Sequence, residues 1–167
     1  MTQHFIVIGN PIAHSKSPEI HTQFAVQTGL EISYQRQYCP DDVASFTAVI
    51  EAFFQDGGVG ANVTVPFKQV AYQCCAARGG LSEHAKGAGA VNTLLINKTL
   101  LKNGTPIAEA IYGDNTDGQG LVNHMTSLDW PLKGARVAII GAGGAARGVI
   151  LPLIEAGISE LTLANRT

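Results

Sequence analysis

Lys68 closes the run Ala61-Asn62-Val63-Thr64-Val65-Pro66-Phe67-Lys68, which follows a glycine-rich turn at 57–60. Its Val, Thr and Val favour an extended strand, and Pro66 removes a backbone donor and opens a helix over Phe67 to Ala77. Lys68 then falls in a first helical turn, where the helix dipole disfavours an exposed ammonium by a few tenths of a kcal/mol to about 1 kcal/mol. A lysine so placed either leans into water or has a carboxylate partner and a task. Asp117, in Gly113-Asp114-Asn115-Thr116-Asp117-Gly118, is the candidate partner. Beside it, the lysine would donate a proton to an oxygen that gains charge as hydride arrives at its carbon. Ser15, Ser17, Thr64 and Asn92 add hydroxyls and an amide, which with the charge pair make an inventory for holding a polyhydroxylated carboxylic acid. Each alone also reads as a cap or turn residue: Ser17 as the N-cap of a helix from Pro18 to about Thr28, Asp117 as the cap of one from Gly118 to about Ser127.

A second candidate site follows residue 135. Arg136 to Ile140 reads as a buried strand, and Gly141-Ala142-Gly143-Gly144-Ala145-Ala146 fits G-x-G-x-x-A between that strand and a helix over Arg147 to Ala156. Gly141 allows the tight turn, Gly143 lets a pyrophosphate approach the backbone, and Ala146 keeps helix and sheet close. The helix N-terminus supplies donors for phosphates. A glycine packing turn is the alternative. The next strand, Leu161 to Ala164, ends in Asn165-Arg166-Thr167, without the acid that NAD would call for. A guanidinium and a hydroxyl there suit a ribose 2′-phosphate and predict NADP, against an arginine merely exposed at a strand end.

The elements that must position these residues alternate. His4 to Gly9 is a strand, and Ser17-Pro18 and Gly29 bracket the first helix. Ile32 to Cys39 is a second strand. Pro40-Asp41-Asp42 caps a helix to about Phe54, with Val43, Phe46, Val49, Ile50 and Phe53 on its apolar face. After the third strand and its helix, Gly79-Gly80 breaks the chain and Ser82 caps a short helix through Lys86. Val91 to Ile96 is a further strand, Asn103-Gly104 a turn, and Ile107 to Tyr112 the returning strand. This order predicts an α/β fold with a mostly parallel sheet flanked by helices. Ligands gather at the carboxyl ends of such strands, so the loops at Asn10–Ser17 and Thr64–Lys68 should share one cleft.

Composition narrows the partners. With 167 residues, 46% hydrophobic, 14% charged and a net charge of -2, the chain can build one core and part of another. It has no basic field for nucleic acid. No N-terminal basic-then-apolar signal and no apolar run near the ~18 residues of a membrane span are present, which predicts a cytoplasmic protein. Asn62-Val63-Thr64 therefore has no meaning as a glycosylation triplet. Cys39, Cys74 and Cys75 form no CxxC and are expected as free thiols, and no metal site is predicted.

Six segments together resemble the shikimate dehydrogenase family, in order: 10–18, 61–68, 89–93, 113–118, 141–145 and 165–167. The resemblance implies NADP-dependent, reversible reduction of 3-dehydroshikimate to shikimate in aromatic amino-acid biosynthesis. It implies that Ser15, Ser17, Thr64, Lys68, Asn92 and Asp117 hold the substrate, with Lys68 and Asp117 the catalytic pair. Gly141, Ala142, Gly143, Gly144, Ala145, Asn165, Arg166 and Thr167 would bind cofactor, and Glu83 falls where some members place an acid near the nicotinamide. A substrate domain over 1–116 would precede a linker helix and the first β-α-β of a Rossmann-type NADP domain over 117–167. That second unit would be incomplete, lacking the nicotinamide side and a substrate-contacting glutamine, so the chain reads as a fragment of little or no activity alone. Its last thirty or so residues would pack on a neighbour or fray. A quinate-preferring paralogue and a non-catalytic ligand-binding module are the rival readings, with a small-molecule partner and a possible homodimer.

Overall fold

The computed structural model describes residues 1–78 and 80–166. Its first sheet has the order β2-β1-β3-β4-β5, formed by β1 (Gln3–Gly9), β2 (Ile32–Tyr38), β3 (Gly60–Val63), β4 (Thr93–Ile96) and β5 (Ile111–Asp114). β1 pairs parallel with β2 and β3, whereas β4 runs antiparallel to both β3 and β5. Only β4 therefore opposes the common direction, which makes the sheet mostly parallel as expected.

Local chemistry sets the flanking helices. α1 (Ser17–Thr28) ends at Gly29, whose φ of 68° is left-handed and costs little without a Cβ. Ser17 is not its cap: it is the first helical residue, after Lys16. α2 (Val43–Gln55) starts where Asp42 accepts a hydrogen bond from the Ser45 amide at 2.8 Å. Its buried stripe is Phe46, Ile50 and Phe54, spaced by four, while Val43 is exposed and Val49 and Phe53 are half-buried. Burying each of the three contributes about 1.5–3 kcal/mol.

α3 (Lys68–Ala76) begins later than the proline suggested. Residues 64–67 form a turn closed by the Phe67 amide on the Thr64 carbonyl at 3.0 Å, with a cis peptide bond between Val65 and Pro66. Pro66 thus belongs to a turn rather than a first helical position. The strand before it ends at Val63. α4 (Glu83–Ala88) is capped by Ser82, whose Oγ accepts from the Ala85 amide. Between β4 and β5 the chain makes α5 (Lys98–Lys102) and a 3-10 turn at Ile107–Glu109, so the returning strand starts only at Ile111. Asn97 caps α5 by accepting from the Thr99 and Leu100 amides.

α6 (Asp117–Ser127) leads to the second sheet, in which β6 (Arg136–Ile140) and β7 (Glu160–Ala164) pair parallel across α7 (Gly144–Glu155). β6 is half-exposed rather than buried, because only β7 flanks it among the described residues. α7 starts at Gly144, three residues before the predicted Arg147, and packs against α6 and α4 of this same chain. Pro152 sits inside it and cannot donate to the Gly148 carbonyl. Gly118 of α6 lies against that carbonyl: a Cβ on Gly118 would stand 2.1 Å from the oxygen. Two cores result, a large one around Ile8, Phe46, Phe67 and Leu94 and a small one at Val122, Leu132 and Leu153.

Candidate active site

The carboxyl ends of β1 and β3 meet as the alternation predicted. The Thr64 amide donates to Ile8 and the Asn10 amide to Val65, each at 3.0 Å. Gly9 makes this approach possible, since a Cβ there would lie 2.5 Å from the Thr64 methyl. The loop after β1 carries Ser15 and Ser17, whose hydroxyls are 3.2 Å apart. Arg36 on β2 fastens that loop: its Nε donates to the Ser15 carbonyl at 2.8 Å and its Nη2 to Glu19 at 2.6 Å. Hydrogen bonding to its own backbone region and to Arg36 holds the Glu19 carboxyl below its usual range.

Lys68 and Asp117, 49 positions apart, are in contact, with Nζ 2.6 Å from Oδ2. Each opens its helix as the first residue, so Asp117 suits the positive end of α6 and offsets the misfit of Lys68 at α3. Their side chains are 32% and 41% exposed, so the pair adds no more than about 1 kcal/mol to stability. Stability is a weak reason for its presence. Asn92, which is buried, donates through Nδ2 to the other Asp117 oxygen at 2.8 Å and to the Thr116 hydroxyl at 3.0 Å, while its Oδ1 accepts from the Thr116 amide.

Two clefts adjoin the pair. One, of about 230 Å³, is lined by all six of Ser15, Ser17, Thr64, Lys68, Asn92 and Asp117, together with Val7, His21, Asn62 and Val63. The other, of about 330 Å³, is lined by Val65, Pro66, Lys68, Gln69, Ala90, Asn115 and Asp117 and reaches Gly144 and Ala145 of the glycine turn. Lys68 and Asp117 line both, so an ion pair separates a polar hollow from a phosphate-type turn. Such a partition can pass a proton on one side while a redox cofactor works on the other.

At the turn, Gly141 has a φ of 107° and its amide donates to Ala164 at 2.7 Å, which brings the end of β7 beside it. Asn165 and Arg166 follow directly and are exposed. Thr167 lies outside the described residues. Glu83 is not brought to either cleft: it is exposed on α4 and pairs with Lys86 at 2.7 Å.

Some lining residues escaped sequence reasoning. His21 lies four residues after Ser17, one helical turn along the same face, and its Nδ1 meets the Ser17 carbonyl at 2.9 Å. Asn62 lies two before Thr64, on the same side of the chain. Its Oδ1 accepts from the Tyr34 hydroxyl, and the Tyr34 ring stacks on His21 at 4.4 Å. Burial pushes the Tyr34 phenol up to about 12, against a smaller opposing effect of Ser17. The periods of helix and strand would have found His21 and Asn62. Nothing local marks Tyr34 or Arg36.

Among the described residues, no helix is long and apolar enough to cross a membrane, and no group of His, Cys, Asp and Glu could hold a metal ion. The family described as the shikimate dehydrogenase substrate binding domain matches residues 7–94. A shikimate dehydrogenase (NADP(+)) from Psychrobacter cryohalolentis is 82% identical over the whole of this chain, and one from Acinetobacter baylyi is 51% identical. The chain spans 58% of the length of each. Among solved structures, shikimate 5-dehydrogenase from Thermus thermophilus in complex with NADP(H) and shikimate is 33% identical, with a TM-score of 0.79 over 99% of this chain and 56% of that one. An Ael1 enzyme from Pseudomonas putida superposes with a TM-score of 0.85 at 37% identity, again over 99% of this chain and 56% of its own. The substrate-domain match covers more than half of the residues, the charge pair joins two clefts at its edge, and the chain belongs to the shikimate dehydrogenase family.

Proposed function

We propose that this chain forms the substrate-holding part, and the beginning of the cofactor-holding part, of a cytoplasmic NADP-dependent dehydrogenase that interconverts 3-dehydroshikimate and shikimate. Because the chain spans 58% of its relatives, the activity proposed is that of the full-length enzyme. The observation that carries the reading is the Lys68–Asp117 pair at the common boundary of the two clefts. Residues 1–116 are assigned to the substrate domain and 117–167 to the linker helix and cofactor domain, a boundary supported by the packing of α6 on α7.

Ser15, Ser17, Thr64 and Asn92 hold the carboxylate and hydroxyls of the ring acid, since all four line one hollow and the three hydroxyls can donate or accept there. Asp117 fixes the Lys68 ammonium through one oxygen and is itself fixed by Asn92 through the other. In reduction, Lys68 gives its proton to the carbonyl oxygen as that oxygen becomes an alcohol; in oxidation the neutral amine takes it back. The glycine turn fits a dinucleotide diphosphate. The Gly141 amide is spent on Ala164, but a Cβ placed on Gly143 or Gly144 would meet nothing within 4 Å, so there is open space at the start of α7 for a diphosphate. Gly141, Ala142, Gly143, Gly144 and Ala145 would hold the diphosphate, with Asn165, Arg166 and Thr167 toward the 2′-phosphate. When bound, the cofactor would supply hydride to the substrate carbon as NADPH in reduction and take it up as NADP+ in oxidation.

In the full-length enzyme, Lys68→Ala should lower kcat by roughly 10²–10⁴-fold while changing KM little. Steady-state kinetics in both directions test this, and an unchanged kcat would overturn it.

A further inference from the structure

Asn115 touches neither charge of the pair, yet the residue is 3% exposed and its side-chain amide is bonded at both ends, to two chain segments. Its Oδ1 accepts from the Asp117 amide at 3.1 Å, an Asx turn that sets the first residue of α6. Its Nδ2 donates to the Ala90 carbonyl at 3.0 Å. Ala90 begins a strap of three residues, each with a bond that matters to the pair. The Val91 amide donates to the carbonyl of Lys68 itself at 2.9 Å, and the Asn92 amide group holds the Asp117 carboxylate at 2.8 Å. The Asn115 backbone is pinned in turn by Asp114, whose Oδ1 accepts from the Asn115 amide at 2.7 Å and from the Ser82 hydroxyl. One buried amide thus joins the backbone that carries Asp117 to the strap whose Val91 amide holds the Lys68 carbonyl.

We propose that Asn115 is a positioning residue for the Lys68–Asp117 pair, acting through the Ala90–Asn92 strap; this rests on the dehydrogenase reading for its kinetic consequence only. A buried amide with both ends bonded allows one arrangement of its two partners, which a partly exposed ion pair that includes a flexible lysine lacks. A displacement near 1 Å at a reacting group costs about 10²-fold in rate.

The experiment uses the full-length enzyme. Asn115→Ala should lower kcat by about 10–100-fold with KM within about threefold, measured well below its melting temperature. Added to Asp117→Asn, it should cost nothing more, because the group it positions is already gone. An unchanged kcat in the folded variant, or a loss that simply adds to that of Asp117→Asn, overturns the proposal. Asn115→Ser, which keeps a weaker bond to the Asp117 amide, serves where alanine prevents folding and should retain part of the rate. A readout without turnover separates this from the parent reading. Lys68→Met should move the side-chain carboxyl carbon resonance of Asp117 in the parent protein and leave it in place in the Asn115→Ala background. A retained response there overturns the positioning role, whereas absence of shikimate turnover by the parent protein overturns the dehydrogenase reading alone.

Discussion

The sheet of β1 to β5 and the pair of β6 with β7 use the same unit, a strand, a helix and a parallel strand, and differ in what closes over them. In the first, β1 buries Ile6, Val7 and Ile8 together, because β2 and β3 flank it and helices cover it. In the second, β6 alternates half-buried and exposed residues, ending in Ile140 at 92% exposure. The site residues follow this division. Those in the polar hollow hang on strand ends of the filled layer, whereas the glycine turn stands on strands that bury one face. The two regions meet where α7 packs between α4 and α6, with the ion pair beside that seam.

Three experiments break or sharpen this contrast. The largest effect is expected in the first core: Phe46→Ala, at 1% exposure, should cost about 3–5 kcal/mol in denaturant unfolding, whereas Ile140→Ser should stay within about 0.5 kcal/mol. Equal costs would mean that the second layer is as closed as the first. Next comes the seam. Gly118→Ala places a Cβ 2.1 Å from the Gly148 carbonyl, a backbone atom that cannot turn aside, and should destabilise by about 1–3 kcal/mol. Gly148→Ala serves as the control, since its Cβ would meet Asn115 and Ala88 at 3.7 and 3.8 Å, ordinary contacts.

The smallest effect is a titration. Tyr34, beneath His21 in the first region, has a phenol raised by burial from its ordinary 10.0 to about 12. A folded-state value above the unfolded one means that the neutral phenol favours folding. Its contribution is complete below pH 10 and is lost as pH rises toward 12. Tyr34→Phe should therefore flatten the decline of stability across that window. An unaltered slope would place the phenol in contact with water.

Much of the local structure was legible because it depends on neighbours in sequence. Asp42 and Gly29 bound their helices by hydrogen bonds and dihedral preference that act over three or four residues. The strand, turn and helix from Arg136 onward follow from an apolar run and a glycine turn, although the helix starts earlier and the strand is half-exposed. Pro66 misled, since the same missing donor serves a turn as well as a helix start. Ser17 misled likewise: the residue before it takes the cap position. The Gly148 carbonyl, to which Pro152 cannot donate, faces Gly118, a residue 34 positions before Pro152 that no local rule connects to it.

The sequence alone determined the kinds of chemistry on hand: an amine, a carboxylate, hydroxyls, an amide and a phosphate-type turn, each fixed by side-chain type and short-range punctuation. Only the tertiary structure decided that Lys68 and Asp117 meet at 2.6 Å, that Arg36 fastens the serine loop, and that Asn115, among the polar residues of its motif, is the buried one. The physical reason is range. Caps and turns are settled within a few residues, but which polar group is buried, and which charge finds a partner, depends on how strands from distant sequence pack into one sheet.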